Sequence, residues 1–172
     1  MLPLGITRGL LSVLLVTAAL WDIRKRRIPN ILSASVLLCG LASTLVGEGG
    51  IPALSGLGAV VVTVAICWVP WTRGRIGGGD VKLAAAAAAA VGVRFLVEYL
   101  LATALIGAVV ALICYSLSKR AVRREIVANL KLVTAGVMPE PPLRSGNGRV
   151  SVPFGVASAA AALLVVFVRK GW

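Results

Sequence analysis

The sequence predicts an all-α membrane protein: a polytopic bundle of six transmembrane helices, with a basic amphipathic helix on the inner surface after the fifth span. Three observations predict it. Hydrophobic residues make up 59% of the 172 and charged residues 14%, with a mean hydropathy of +0.97, unlike the mixture of a water-soluble domain. Apolar runs alternate with short polar connections, the pattern of chains that cross a bilayer. The basic residues behind the net charge of +12 gather between those runs. In a soluble protein such a charge points to nucleic acid. Clustered between apolar runs, it is the positive-inside pattern, and the partner it implies is anionic lipid rather than nucleic acid.

The first span runs from about 4 to 21, with Arg8 as its only charge. A secretory signal carries its positive charge ahead of the apolar core. Here Arg24, Lys25, Arg26 and Arg27 follow it, which puts the N-terminus outside and Asp22 at the inner end. Ile28-Pro29-Asn30 then turns the chain, since proline keeps the preceding residue extended and suits a helix start. A second span, about 31 to 46, ends at Gly47-Glu48-Gly49-Gly50-Ile51-Pro52, a turn without Lys or Arg and therefore outside. The third, about 53 to 71, returns inside and ends in Trp68, Pro70 and Trp71, where an interfacial aromatic belt is expected. Thr72-Arg73-Gly74-Arg75-Ile76 then leads into Gly77-Gly78-Gly79-Asp80.

The fourth span, about 80 to 92, covers roughly 20 Å against a hydrocarbon core of about 30 Å. It contains seven consecutive alanines, Ala84 to Ala90. A helix so short and so weakly apolar is expected to be enclosed by protein, with Asp80 as its N-cap and the preceding glycines lending backbone freedom. Leu83, Ala84 and Ala87 lie beneath Asp80 at helical spacing and should face protein, with Ala85 on the opposite side. A fifth span follows at about 95 to 117. Lys119, Arg120, Arg123, Arg124 and Lys131 then alternate with Val122, Ile126, Val127, Leu130 and Val133, the amphipathic helix. A Pro- and Gly-rich loop, 138 to 149, precedes the last span, about 150 to 168, which opens Val152-Pro153-Phe154-Gly155. Both termini fall outside, and of the 18 basic residues all but Arg8, Arg94, Arg169 and Lys170 fall inside. No internal repeat divides the chain, so residues 1–172 read as a single domain.

Little conventional chemistry is on offer. The chain has no histidine, which removes Ser-His-Asp and Cys-His catalysis and histidine metal sites. Cys39, Cys67 and Cys114 lie far apart within apolar runs, as small buried hydrophobes do. No metal and no cofactor is expected. What remains is the two aspartates, Asp22 and Asp80, placed by the topology at the inner ends of spans one and four. Charge at that depth is costly and marks function by default. Taken singly, Asp80 reads equally well as a helix cap, and Asp22 as a juxtamembrane partner of Arg24 or Arg26. Together, two crowded carboxylates cannot both ionise easily and share a proton. One then acts as general base on a water while the other donates a hydrogen bond to a carbonyl, the requirement for peptide hydrolysis without a covalent intermediate.

Asp22 within DIRKRRIPN, and GGGDVK at 77 to 82, resemble the two signatures of the type IV prepilin peptidases, membrane aspartyl proteases of the GxGD class. Val152-Pro153-Phe154-Gly155 resembles a further element of that family. The likeness implies removal of short, charged leader peptides from prepilins or pseudopilins at the cytoplasmic face of the inner membrane. It carries catalysis to Asp22 and Asp80, with Gly77, Gly78 and Gly79 shaping the site and Arg24, Pro29, Asn30 and Lys82 as candidates for support or substrate contact. Longer relatives bear paired CxxC motifs and also methylate the new N-terminus. This sequence opens on span one without CxxC, and so resembles the short, peptidase-only kind of tight-adherence (Flp-type) pili; an archaeal preflagellin peptidase would look similar.

The alternative from another class is a small transporter or proton channel in which the two aspartates carry ions. Such proteins often show repeats and paired broken helices, and neither is visible here. A structural secretion subunit leaves the aspartates unused. Cysteines introduced at Gly49 and Gly146 should be labelled from opposite sides of the membrane; labelling of both from one side would overturn the six-span topology.

Overall fold

A computed structural model of the chain describes residues 4–118, 120–134 and 152–169. Seven α-helices account for nearly all of them: α1 (Leu4–Lys25), α2 (Asn30–Glu48), α3 (Gly50–Thr72), α4 (Gly78–Val91), α5 (Leu96–Leu117), α6 (Arg120–Thr134) and α7 (Phe154–Arg169). A short 3-10 turn, Val93–Phe95, joins α4 to α5. Among the described residues there is no strand. The loop expected at 138 to 149 lies outside them.

Four helices are long and apolar enough to cross a membrane: Leu4–Lys25, Asn30–Gly47, Gly50–Thr72 and, with the 3-10 turn, Val93–Leu117. Their outward faces expose large aliphatic side chains such as Val13, Leu38, Val61 and Leu105, which suits a lipid surround. The architecture is that of a multi-pass membrane protein. The other two apolar helices, α4 and α7, are shorter, with 14 and 16 residues. At 1.5 Å per residue they reach about 21 and 24 Å.

The helix limits differ from the sequence reading at the turns. Gly50, Ile51 and Pro52 belong to the first turn of α3 rather than to the loop, where a proline needs no amide hydrogen. Gly49 alone connects α2 to α3. Pro29 is the N-cap of α2, with φ −61° and ψ 139°. Gly92 ends α4 with φ +78° and donates its amide to the carbonyl of Ala88, a conformation that favours glycine.

The centre of the bundle is α4. It packs against α2, α3 and α7, and Val81, Leu83 and every residue from Ala84 to Val91 are buried. Enclosure by protein is thus what the structure shows for the short alanine helix. The expected one-sided face is not found: Ala85 is 5% exposed and Ala87 0%. With three partners around a helix of methyl groups, no side is left for lipid. Small residues on the partners match it. A Cβ on Gly56 of α3 would come within 2.5 Å of the Ala89 carbonyl oxygen, and one on Gly40 of α2 within 3.1 Å of Ala90 Cβ. Backbones come this close when neither helix carries bulk at the crossing.

Inside this apolar core one polar knot is buried. The Tyr99 hydroxyl on α5, 0% exposed, lies 3.1 Å from the Ala84 carbonyl oxygen on α4 and 2.7 Å from Ser158 Oγ on α7. At the C-terminal end of α5, Arg123 of α6 donates from Nε to the Ser118 carbonyl at 2.9 Å and from its guanidinium to that of Ser116, and stacks over the Tyr115 ring. These bonds satisfy carbonyls that a helix end leaves open. Ala85→Leu and Ala87→Leu should each destabilise the purified protein by about 1–3 kcal/mol through overpacking, whereas Leu105→Ala on the outer face of α5 should change stability by less than about 0.5 kcal/mol. Thermal unfolding in detergent or nanodiscs reads both.

Candidate active site

Asp22 lies one turn before the end of α1, which closes at Arg26 with φ +52°. Its side chain is 3% exposed. A carboxylate so enclosed needs donors, and they come from the start of α7. The Gly155 amide donates to Asp22 Oδ2 at 2.9 Å, and the Val156 amide also bonds the carboxylate. These are the second and third residues of α7, whose amides have no partner within their own helix and sit at its positive end. Asp22 therefore caps a helix far along the chain. The cation whose charge reaches it is Arg26, and Arg24, also a candidate in the sequence, presents an exposed side chain.

Asp80 is not the N-cap of α4. That position is Gly77, with φ −70° and ψ 141°, and Asp80 is the third helical residue. Its carboxylate bonds back to the Gly77 amide, the half of a capping box that the third residue supplies. None of Gly77, Gly78 and Gly79 has positive φ, so the triple glycine is there for space. A Cβ on Gly77 would lie 3.0 Å from Asp80 Oδ2, one on Gly78 3.2 Å from Trp71 Nε1, and one on Gly79 3.6 Å from Ile28. Asp80 is half-buried, which leaves one side of it open to an approaching chain.

The two acids share a neighbourhood. Asp22 is near enough to Asp80 for their charges to repel. Ile28, 9% exposed, fills the space between their supports. One side of it meets Gly79, and a Cβ on Gly155 would come within 2.9 Å of its Cδ1. Lys82 and Asn30 also meet, Lys82 Nζ donating to Asn30 Oδ1 at 2.9 Å, so that the start of α2 is tied to α4 just past its first turn. Trp21, Trp68 and Trp71 stand exposed at this end, Lys25 over the Trp21 ring and the other two edge to face. Among the described residues no group of three or more His, Cys, Asp and Glu side chains could hold a metal ion. Sequence reasoning missed Ile28, an apolar residue in the turn between α1 and α2, and Tyr99 and Ser158, ordinary residues of apolar helices until their neighbours are known. Gly155 had a signal in Val152-Pro153-Phe154-Gly155, though without a role.

A sequence model of the type IV leader peptidase family matches residues 9–112. The chain belongs to that family. The match takes in both aspartates and the glycines before Asp80, and stops within α5, short of α7 and its amide donors. No curated protein and no solved structure matches the chain. Family membership makes this a leader peptidase-like protease.

The capping bond separates the two acids in this leader peptidase in a way their sequence setting does not. Repulsion alone would make loss of a carboxylate a relief at either position. At Asp22 it also strands two amides in a buried place. Asp22→Ala should therefore cost about 1–3 kcal/mol of stability, while Asp80→Ala, losing one contact at a half-exposed helix start, should cost less than about 1 kcal/mol. Equal melting temperatures for the two variants would count against the capping role.

Proposed function

We propose that Asp22 and Asp80 are the catalytic pair of an aspartic endopeptidase that removes the short leader from prepilins or pseudopilins of the Flp type at the cytoplasmic membrane face. The observation that carries this reading is that the chain's only two aspartates approach each other at one end of the bundle, one held by α7 and the other by the first turn of α4. Family membership supplies the reaction class. Six spans with both termini outside, α4 and α7 included, complete the reading, and α6 lies on the inner surface against anionic lipid.

In the proposed reaction the pair holds one proton and one water. The Gly155 amide holds Asp22 Oδ2, which orients the carboxylate for the water of the proposed reaction. The ionised carboxylate takes a proton as the water oxygen bonds to the scissile carbonyl carbon, and the protonated partner donates a hydrogen bond to the carbonyl oxygen. Collapse of the tetrahedral species breaks the C–N bond, the transferred proton going to the departing amine. Lys82 and Asn30, bonded to each other beside Asp80, hold the starts of α2 and α4 around the substrate. Arg24 is proposed only as a surface contact for the incoming chain.

A second reading has an observation of its own: the Gly155 bond makes Asp22 a structural cap without catalysis. Asparagine separates the two, because its amide oxygen can still accept from Gly155 but cannot take a proton. Purified protein should be incubated with candidate prepilins and the products weighed. Asp22→Asn, Asp80→Asn and the double variant should each lose cleavage by at least about 10³-fold, the double being no worse than the singles, since groups acting as a unit are not additive. Substantial cleavage by a folded Asp80→Asn chain would refute the pair, and cleavage by Asp22→Asn would leave Asp22 as a cap alone. With S-adenosylmethionine present, the product should keep an unmethylated N-terminal amine.

A further inference from the structure

The buried Tyr99 hydroxyl lies where nothing in the peptidase reaction uses it. A tyrosine hydroxyl has one hydrogen, and a backbone carbonyl can only accept. Tyr99 therefore donates to the Ala84 carbonyl, and Ser158 Oγ donates to Tyr99 Oη. The knot fixes α4 against α7 at a defined axial height. Ala84 stands one turn below Asp80 on α4. Ser158 stands three residues below Gly155 on α7, and Gly155 holds Asp22. A closed circuit results, running from Asp80 down α4 to Ala84, across Tyr99 and Ser158, up α7 to Gly155 and so to Asp22.

The rest of the α4–α7 contact favours such a tie. Along this stretch α4 carries only methyl groups, and α7, which packs against it, carries the buried alanines Ala159, Ala161 and Ala162. Smooth alanine faces have no deep ridges to lock them against sliding. A directional bond supplies what packing does not. Thr103, one turn further along α5, gives its hydroxyl to the Tyr99 carbonyl and lies against the Tyr99 hydroxyl from the same helix. Between the helices the tie thus rests on the Tyr99 and Ser158 hydroxyls.

We propose that Tyr99 and Ser158 are positioning residues for the Asp22/Asp80 pair: they set the axial register of α4 and α7 and thereby the separation of the two carboxylates. The inference rests on the catalytic reading for its effect on activity, but not for its effect on geometry. A shift of about 1 Å in catalytic groups costs up to about 10²-fold in rate.

Two measurements test it in the full chain, reconstituted in phosphatidylglycerol-containing nanodiscs. The first is kinetic, with a prepilin shown to be cleaved. Tyr99→Phe keeps the ring and removes the hydroxyl; kcat should fall about 10- to 100-fold with KM within about twofold, because no substrate contact is lost. Ser158→Ala should give a smaller fall, and Tyr99→Phe/Ser158→Ala should be no worse than Tyr99→Phe. The second is independent of activity. With Cys39, Cys67 and Cys114 replaced by alanine, Ile76→Cys just before α4 and Val152→Cys just before α7 are introduced together, leaving the Gly155–Asp22 bond in place, and joined by a short bifunctional thiol reagent. Adding Tyr99→Phe should slow that cross-link at least about threefold, and adding Thr17→Val, which breaks an exposed hydroxyl bond within α1, should leave it unchanged. Unchanged cross-linking in the Tyr99→Phe chain overturns the proposal whatever the kinetics show. Slowed cross-linking with unchanged kcat upholds the tie and sinks the catalytic pair instead. Should Tyr99→Phe fail to insert, Ser158→Ala takes its place in both measurements, and unchanged cross-linking in that chain overturns the proposal in the same way.

Discussion

A carboxylate enclosed by a bundle needs hydrogen-bond donors from somewhere other than water, and here Asp22 finds them at the start of α7. Much of the arrangement follows from that need. Helix α7 must bring its free amides to the C-terminal end of α1, Gly155 must lack a side chain because Asp22 and Ile28 fill the space, and α4 must lie against α7 for Asp80 to share the region. The bond also does two kinds of physical work. It satisfies an amide at the positive end of a helix, and it fixes the orientation of the Asp22 carboxylate.

Around that bond the bundle is assembled from the smallest side chains available. Alanines along α4 and α7 and glycines on α2 and α3 permit backbone contact at several crossings. Close approach gives dispersion contacts over long stretches but little resistance to sliding. Polar groups such as Tyr99 and Ser158 complement it, since a misplaced hydroxyl in an apolar interior has no substitute partner. The result combines tight packing with register held at isolated points.

The helices and the two acids are legible in the sequence because their signals are local: apolar run length, charge clusters between runs, and an aspartate after three glycines. Enclosure of the fourth span can be inferred from its length and its alanines. The all-round burial of that helix cannot, since Ala84, Ala85 and Ala87 carry the same side chain whatever faces them. The sequence reading puts Asp80 at the cap, three positions from its place in the helix, because glycine can begin a helix and gives no sign of where it does. A triple glycine suggests a need for unusual dihedral angles, whereas the structure uses it for room beside Trp71, Ile28 and the Asp80 carboxylate. What stays hidden is long-range. The partners of Asp22 and Tyr99 lie in α7, and nothing in one stretch of apolar residues announces which distant carbonyl or carboxylate it will meet.

That distance has a bearing on how the molecule is made. Helices enter the membrane in the order of synthesis, so both aspartates are in place before the helix that carries Gly155 emerges. Until then Asp22 has no amide to hold it, and α4 is open on the side that α7 will cover. A ribosome-bound chain that stops short of α7 would contain both aspartates but not the amide that holds Asp22. On the catalytic reading proposed above, competence then arrives in one late step, when α7 docks.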